Sequence, residues 1–182
     1  MKVLLLNGSP RIGGNTETAL KAVEEGFKLN TNDEIEILNV REYEIAGCKG
    51  CDYCRTTEDG TCITKDDGIM IANKILEADA VIFASPVYWW GVSSQLKTAI
   101  DRIYMKGPFL TKKSKKIGVI AIGGATLDDP EYEIIGKQFE CIAEYLNWKL
   151  VVEKYISASE RKDLSKNLES INQLKELYKK FI

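Results

Sequence analysis

The sequence predicts a three-layer α/β protein in which a five-stranded parallel sheet is doubly wound, with helices on both faces. Three observations lead there. Along the 182 residues, five short apolar runs alternate with five stretches of helical 3–4 spacing. Strands that alternate with helices require right-handed crossovers, and therefore parallel pairing. The glycine-, cysteine- and aromatic-rich segments all follow strands, at the carboxyl edge where such sheets bind ligands.

Taken in order, Lys2–Asn7 reads as a strand buried on both faces, and Asn15 or Thr16 as the cap of a helix with Ala19, Leu20, Val23 and Phe27 on one side. Glu34–Val40 is the second strand. Asp66 and Asp67 supply negative charge where a helix bearing Ile69, Ala72, Ile75 and Leu76 begins. Ala80–Ala84 is the third strand, followed by a helix capped by Ser93 or Ser94 that carries Leu96, Ala99, Ile100, Ile103 and Tyr104. Ile117–Ile122 is the fourth, running into Gly123-Gly124. Asp129-Pro130 pairs a cap with proline at the first helical position, and Ile134, Ile135, Phe139, Ile142 and Leu146 continue that helix. Trp148–Ile156 is the fifth strand, and Leu164, Leu168, Ile171, Leu174 and Leu177 mark the last helix. One domain spanning 1–182 is expected, with a cysteine-rich loop, 47–65, inserted between strand 2 and helix 2.

Composition narrows the function. A net charge of −2 leaves no basic footprint for nucleic acid. No apolar run approaches the roughly 20 residues that span a membrane, and the run after Lys2 ends too soon for a signal peptide. A reducing cytoplasm is expected, where cysteines bind metal or carry redox chemistry more often than they form disulfides. The chain has no histidine, which removes Ser-His-Asp triads, His general acid–base catalysis and His-containing zinc sites.

Gly8-Ser9-Pro10-Arg11-Ile12-Gly13-Gly14-Asn15-Thr16 joins a buried strand to a helix N-terminus, with hydroxyl, amide and guanidinium donors suited to an anion. It is not a Walker A loop, because Gly14 stands in place of the lysine, and Pro10 breaks the dinucleotide fingerprint. A lone phosphate fits it; a plain Gly/Pro turn is the simpler alternative. Pro86-Val87-Tyr88-Trp89-Trp90-Gly91 places three adjacent aromatics after the third strand, where they either flank a planar ring or pack inward or against another subunit.

Together with the cysteine run leading into Asp66-Asp67, Ala78-Asp79, Ser85-Pro86-Val87-Tyr88, Leu96-Lys97 and Asp101-Arg102, these loops resemble the NADPH-dependent FMN reductase and iron–sulfur flavoprotein family. The resemblance implies a flavodoxin-like fold with strand order 2-1-3-4-5 and FMN as cofactor. It implies that Ser9, Arg11, Asn15 and Thr16 hold the FMN phosphate. Pro86, Val87, Tyr88 and Trp89 then cradle the isoalloxazine ring, Gly91 allows its close approach, and Gly123 and Gly124 lie beside it. It also implies a homo-oligomer, a dimer or tetramer.

Cys48, Cys51 and Cys54 follow the Cys-x2-Cys-x2-Cys spacing that wraps a cubane, with Cys62 after seven intervening residues, and the iron–sulfur flavoprotein subgroup resembles this arrangement. A [4Fe-4S] cluster, free or redox thiols, and zinc all stay open for this set. Cys141 reads as a core residue of its helix. The function expected is an FMN-dependent oxidoreductase passing electrons from NAD(P)H or a redox protein such as ferredoxin to a flavin, quinone or similar acceptor. An electron carrier between protein partners is the alternative, and a thiol or metal sensor a third reading.

Overall fold

A computed structural model describes residues 1–182. Its elements are β1 (Lys2–Asn7), α1 (Asn15–Asn30), β2 (Glu34–Asn39), α2 (Gly68–Glu77), β3 (Ala80–Tyr88), β4 (Gly91–Val92), α3 (Ser94–Arg102), α4 (Gly107–Leu110), β5 (Lys116–Gly123), α5 (Pro130–Leu146), β6 (Lys149–Ser157) and α6 (Leu168–Lys175). The five long strands are all parallel and lie in the order β2-β1-β3-β5-β6, the expected flavodoxin-like arrangement once the short β4 is set aside.

The apolar strands are explained by burial on both faces. In β1, Leu4 and Leu6 join one core with α2, α3 and α5, through Ile71, Leu96 and Phe139. Val3 and Leu5 point the other way, into a second core with α1 and α6, through Leu20, Phe27 and Leu174. Three layers result, because successive side chains of a strand alternate faces. No helix is long and apolar enough to cross a membrane.

Several expectations are corrected. The sheet has six strands, because β3 runs on through Pro86, Val87 and Tyr88 and turns back into the two-residue antiparallel β4, with Val87 opposite Val92. The turn residues are Trp89 and Trp90, at φ 49° and 56°. Positive φ at both central positions is what a tight I′ hairpin requires, and Asn-Gly is its usual sequence. Tryptophan gives no such signal.

Helix α1 is preceded by Gly14 and has no side-chain cap, so neither Asn15 nor Thr16 caps it. Ile103 and Tyr104 leave α3 for a 3-10 turn over Ile103–Lys106. The last helix is broken, with Leu164 in a separate 3-10 turn. The other expected caps form: Ser93 Oγ accepts from Leu96 N at 3.2 Å, and Asp129 accepts from Glu131 N at 2.9 Å, with Pro130 in the first turn.

Candidate functional site

The carboxyl ends of β1, β3 and β5 converge, since Asn7 pairs with Ala84 and Pro86 with Ile122. The first loop is shaped from inside by Asn7, a fully buried residue that sequence reading passed over. Its Oδ1 accepts from Ser9 N at 3.0 Å while its Nδ2 donates to Asn39 at 2.9 Å. Ser9 is buried and its Oγ accepts from Arg11 N at 3.1 Å. Gly8 is the position of closest approach: a Cβ there would lie 2.5 Å from Leu96 Cβ, so only glycine lets this loop rest on α3.

The first turn of α1 lacks a side-chain cap, which leaves its amide N–H groups and the positive end of its dipole for an external anion. The Arg11 side chain is exposed and forms no ion pair, and Thr16 is buried in the same turn. Glu17 opposes this charge but is neutralised. Lys21 and Arg41 pair with it at 2.8 and 3.4 Å, and its carboxyl, which also accepts from Gly13 N, is held below the usual range chiefly by the Lys21 hydrogen bond.

Asn15 departs from its expected place. Its Nδ2 donates to the Glu160 carbonyl at 3.0 Å and its Oδ1 accepts from Leu164 N at 3.2 Å, so the amide ties α1 to the loop after β6. Arg161 reinforces that tie by donating to the Ile12 carbonyl at 2.5 Å. The one sequence signal for this loop is a polar run, Ser-Ala-Ser-Glu-Arg-Lys-Asp, at the carboxyl end of the last strand.

Of the ring-side residues, Pro86 and Val87 are half-buried in β3, and Tyr88, Trp89 and Trp90 project from the hairpin, Trp89 at 92% exposure and Trp90 at 50%. The indoles touch each other, centroids 6.3 Å apart. Gly91 is spacious, with nothing closer than 3.8 Å to a Cβ. The hairpin and first loop are joined by Ser93, whose Oγ donates to the Gly8 carbonyl at 2.5 Å, while its N–H donates to Ser85 Oγ at 2.9 Å. Gly123 ends β5 packed on α5: a Cβ would collide with Glu131 and Tyr132. Its carbonyl accepts from Ala158 N at 2.8 Å, and Gly124 lies near Ser159.

The cysteine segment lies against the stretch 102–107. Arg102, 2% exposed, donates to Ala46 O at 2.8 Å, Asp66 Oδ2 at 2.7 Å and Thr64 O at 3.3 Å, holding both ends of the segment. Asp66 also accepts from Ala46 N and Gly68 N, and Asp67 from Glu44 N, so these acids close the neck of the loop as well as leading into α2. Tyr104 OH donates to Asp52 at 2.9 Å, Arg55 stacks on the Tyr104 ring at 4.0 Å, and Lys106 donates to Asp59 O at 2.6 Å.

Cys48, Cys51, Cys54 and Cys62 all line one cavity of about 20 Å³, with Arg102 in its wall. Cys48 and Cys51 are exposed, Cys54 and Cys62 half-buried, and no cysteine is in a disulfide. Burial pushes the Cys54 thiol up, against the pull of Arg55. No three His, Cys, Asp or Glu side chains are gathered as ligands of a single metal ion. Cys141 is not a core residue: it is exposed on α5 and, with Cys48, lines a second groove of about 760 Å³ floored by Ile100, Ile103 and Leu146.

Comparison with known proteins follows the same lines. Residues 1–128 match the family model of NADPH-dependent FMN reductase. An iron–sulfur flavoprotein of Methanocaldococcus jannaschii is 38% identical over 130 residues, covering 69% of this chain and 63% of that protein. A Bacillus subtilis protein carrying the name NAD(P)H-dependent FMN-containing oxidoreductase YwqN is 32% identical over 155 residues, 80% of this chain and 79% of that one. The chain spans 50 to 64% of the length of the first five iron–sulfur flavoproteins it matches. Among solved structures, an NAD(P)H:quinone oxidoreductase from Methanothermobacter marburgensis aligns with TM-score 0.72 at 18% identity, over 96% of this chain and 94% of that one. An FMN-dependent NADH-azoreductase from Bacillus anthracis, in complex with FMN, aligns at 0.67 and 18%, over 97% of both. Likeness at that identity shows a shared fold.

Proposed function

The chain belongs to the NADPH-dependent FMN reductase family, and from that premise we propose that it is an FMN-dependent oxidoreductase. It takes electrons from NAD(P)H or a redox protein and passes them to a flavin, quinone or similar acceptor. Residues 1–182 act as one FMN-binding unit carrying the cysteine loop 47–65. The observation that carries this reading is the uncapped start of α1 beside the exposed Arg11, in a loop that Ser93 ties to the aromatic hairpin at the same sheet edge. That is a phosphate site and a ring platform on one sheet edge.

Ser9, Arg11 and Thr16, with the first-turn amides of α1, hold the FMN phosphate. Asn15 assists by fixing the loop after β6, not by direct contact. Pro86, Val87, Tyr88 and Trp89 line the ring, Gly91 gives it room, and Gly123 and Gly124 bound its other side. Bound FMN supplies hydride acceptance and electron transfer. The protein's part is to orient the ring and exclude water from it. With no histidine in the chain, proton exchange falls to a carboxylate, thiol, lysine, tyrosine or solvent.

The donor set Cys48, Cys51, Cys54 and Cys62 fits a [4Fe-4S] cluster: four thiols on one cavity wall, with a buried cation among them. The cavity itself is the size of a single water, and it is bounded on the solvent side by the two exposed cysteines, Cys48 and Cys51. The cluster supplies one-electron transfer. A second reading, an electron carrier between protein partners such as ferredoxin, is favoured by the exposure of Cys48 and Cys51. The chain works in the cytoplasm as a homo-oligomer. Anoxic NADPH and NADH oxidation with a quinone acceptor separates the two readings: turnover by FMN-loaded, iron-free protein supports the reductase, and its absence leaves the carrier.

A further inference from the structure

Arg102 has a donor left over. It is the last residue of α3, buried between Ala99 in the preceding turn of that helix and Ile103 at the start of the 3-10 turn, both of which face the core. Its two terminal nitrogens are used on Ala46, Asp66 and Thr64. Its Nε is buried and has no hydrogen-bond partner. Arg102 also lines the small cavity shared by Cys48, Cys51, Cys54 and Cys62.

Other cations near the loop are committed or in solvent. Arg55 lies on the Tyr104 ring, Lys106 donates to Asp59 O, and Lys49 is exposed. Arg102 is ion-paired with Asp66 at 2.7 Å, and a guanidinium stays charged in proteins even when buried. A neutral thiol is a weak acceptor, whereas an anionic sulfur satisfies a buried N–H strongly.

Resting on the cluster reading above, we propose that Arg102 is the positioning residue of the four-cysteine site. Its terminal nitrogens fix the two ends of the loop, and its Nε–H donates to a sulfur of the bound iron–sulfur cluster. Hydrogen bonds and positive charge at the sulfurs stabilise the more negative, reduced cluster, so Arg102 raises its potential.

The test is anoxic reconstitution of the full FMN-loaded chain with iron and sulfide, followed by a dithionite titration monitored by EPR. In Arg102→Gln the one-electron equilibrium of the retained cluster becomes about tenfold less favourable, about 59 mV more negative. Arg102→Lys, which returns charge without the planar fork, recovers part of that shift. Asp66→Asn loosens the loop but keeps the Nε–H, so it lowers cluster yield without making the potential more negative. A wild-type potential in Arg102→Gln, or an equal negative shift in Asp66→Asn, overturns the proposal and leaves a purely structural arginine. Should Arg102→Gln fail to fold by circular dichroism, Arg102→Lys decides: a potential below wild type supports the proposal and an unchanged one overturns it. Wild-type protein that takes up no iron and sulfide overturns the cluster reading itself.

Discussion

Ser93 Oγ donates to the Gly8 carbonyl at 2.5 Å and at the same time accepts from Leu96 N, so one hydroxyl caps α3 and clamps the first loop to it. The group is fully buried. Ser93→Ala removes a cap and strands a carbonyl, and is expected to cost about 2 kcal/mol. A urea midpoint measures the loss, and FMN affinity should fall with it because the phosphate loop loses its support.

Arg11 and Asn15 separate binding from scaffolding. Arg11→Gln is expected to weaken FMN at least tenfold while leaving riboflavin, which lacks the phosphate, nearly unaffected. Asn15→Ala should cost about 1 kcal/mol of stability by releasing Glu160 and Leu164, and should weaken FMN and riboflavin by similar, smaller factors. Fluorescence titrations with both flavins check this; equal loss of both flavins in Arg11→Gln would refute the phosphate role.

The hairpin predicts a trade of stability against function. Trp89 and Trp90 occupy the left-handed region at φ 49° and 56°, at about 1–2 kcal/mol per residue relative to residues suited to it. Trp89→Asn with Trp90→Gly should therefore raise the thermal midpoint of flavin-free protein. The same change removes an exposed aromatic surface and is expected to reduce flavin affinity. A double variant that is both less stable and unchanged in binding contradicts the ring-platform role.

Lys115 gives a pH dependence with a definite sign. Its ammonium donates to the carbonyls of Leu76, at 2.9 Å, and Ala78, and burial, then Lys113, pushes its pKa down to about 8 from 10.5. Between these values the unfolded chain holds a proton that the folded chain has released, so stability rises from pH 8 to 10, by about 1–2 kcal/mol. Above that, Tyr132, pushed up to about 12 by burial and Glu131, and Tyr155, pushed up by burial and Glu153, stay protonated only when folded, and stability falls. Urea midpoints across this range should show the rise in wild type and lose it in Lys115→Met.

The fold was legible because both faces of β1, β3 and β5 are buried, which makes those strands continuous apolar runs that no helix imitates at that length. The glycine-rich turn from β1 into α1 was legible for a local reason: its glycines, Pro10 and polar side chains sit within ten positions of one another. What escaped depends on distance in sequence. Asn15 finds its partner 145 residues away, and Arg161 meets Ile12 across 149. Nothing in their spacing predicts that. The hairpin escaped because Trp-Trp breaks the turn rule that would have announced it. Cys141 escaped because α5 is apolar on more than its core face, leaving Ile134 and Tyr145 exposed beside it.

The most direct measurement is flavin and iron content after anoxic purification, read by visible absorbance and by chemical assay of iron and sulfide. One FMN per chain, reduced in Arg11→Gln, with about four iron atoms lost when Cys48, Cys51, Cys54 or Cys62 becomes serine, is the predicted result. Colourless protein that takes up no FMN on titration contradicts the account.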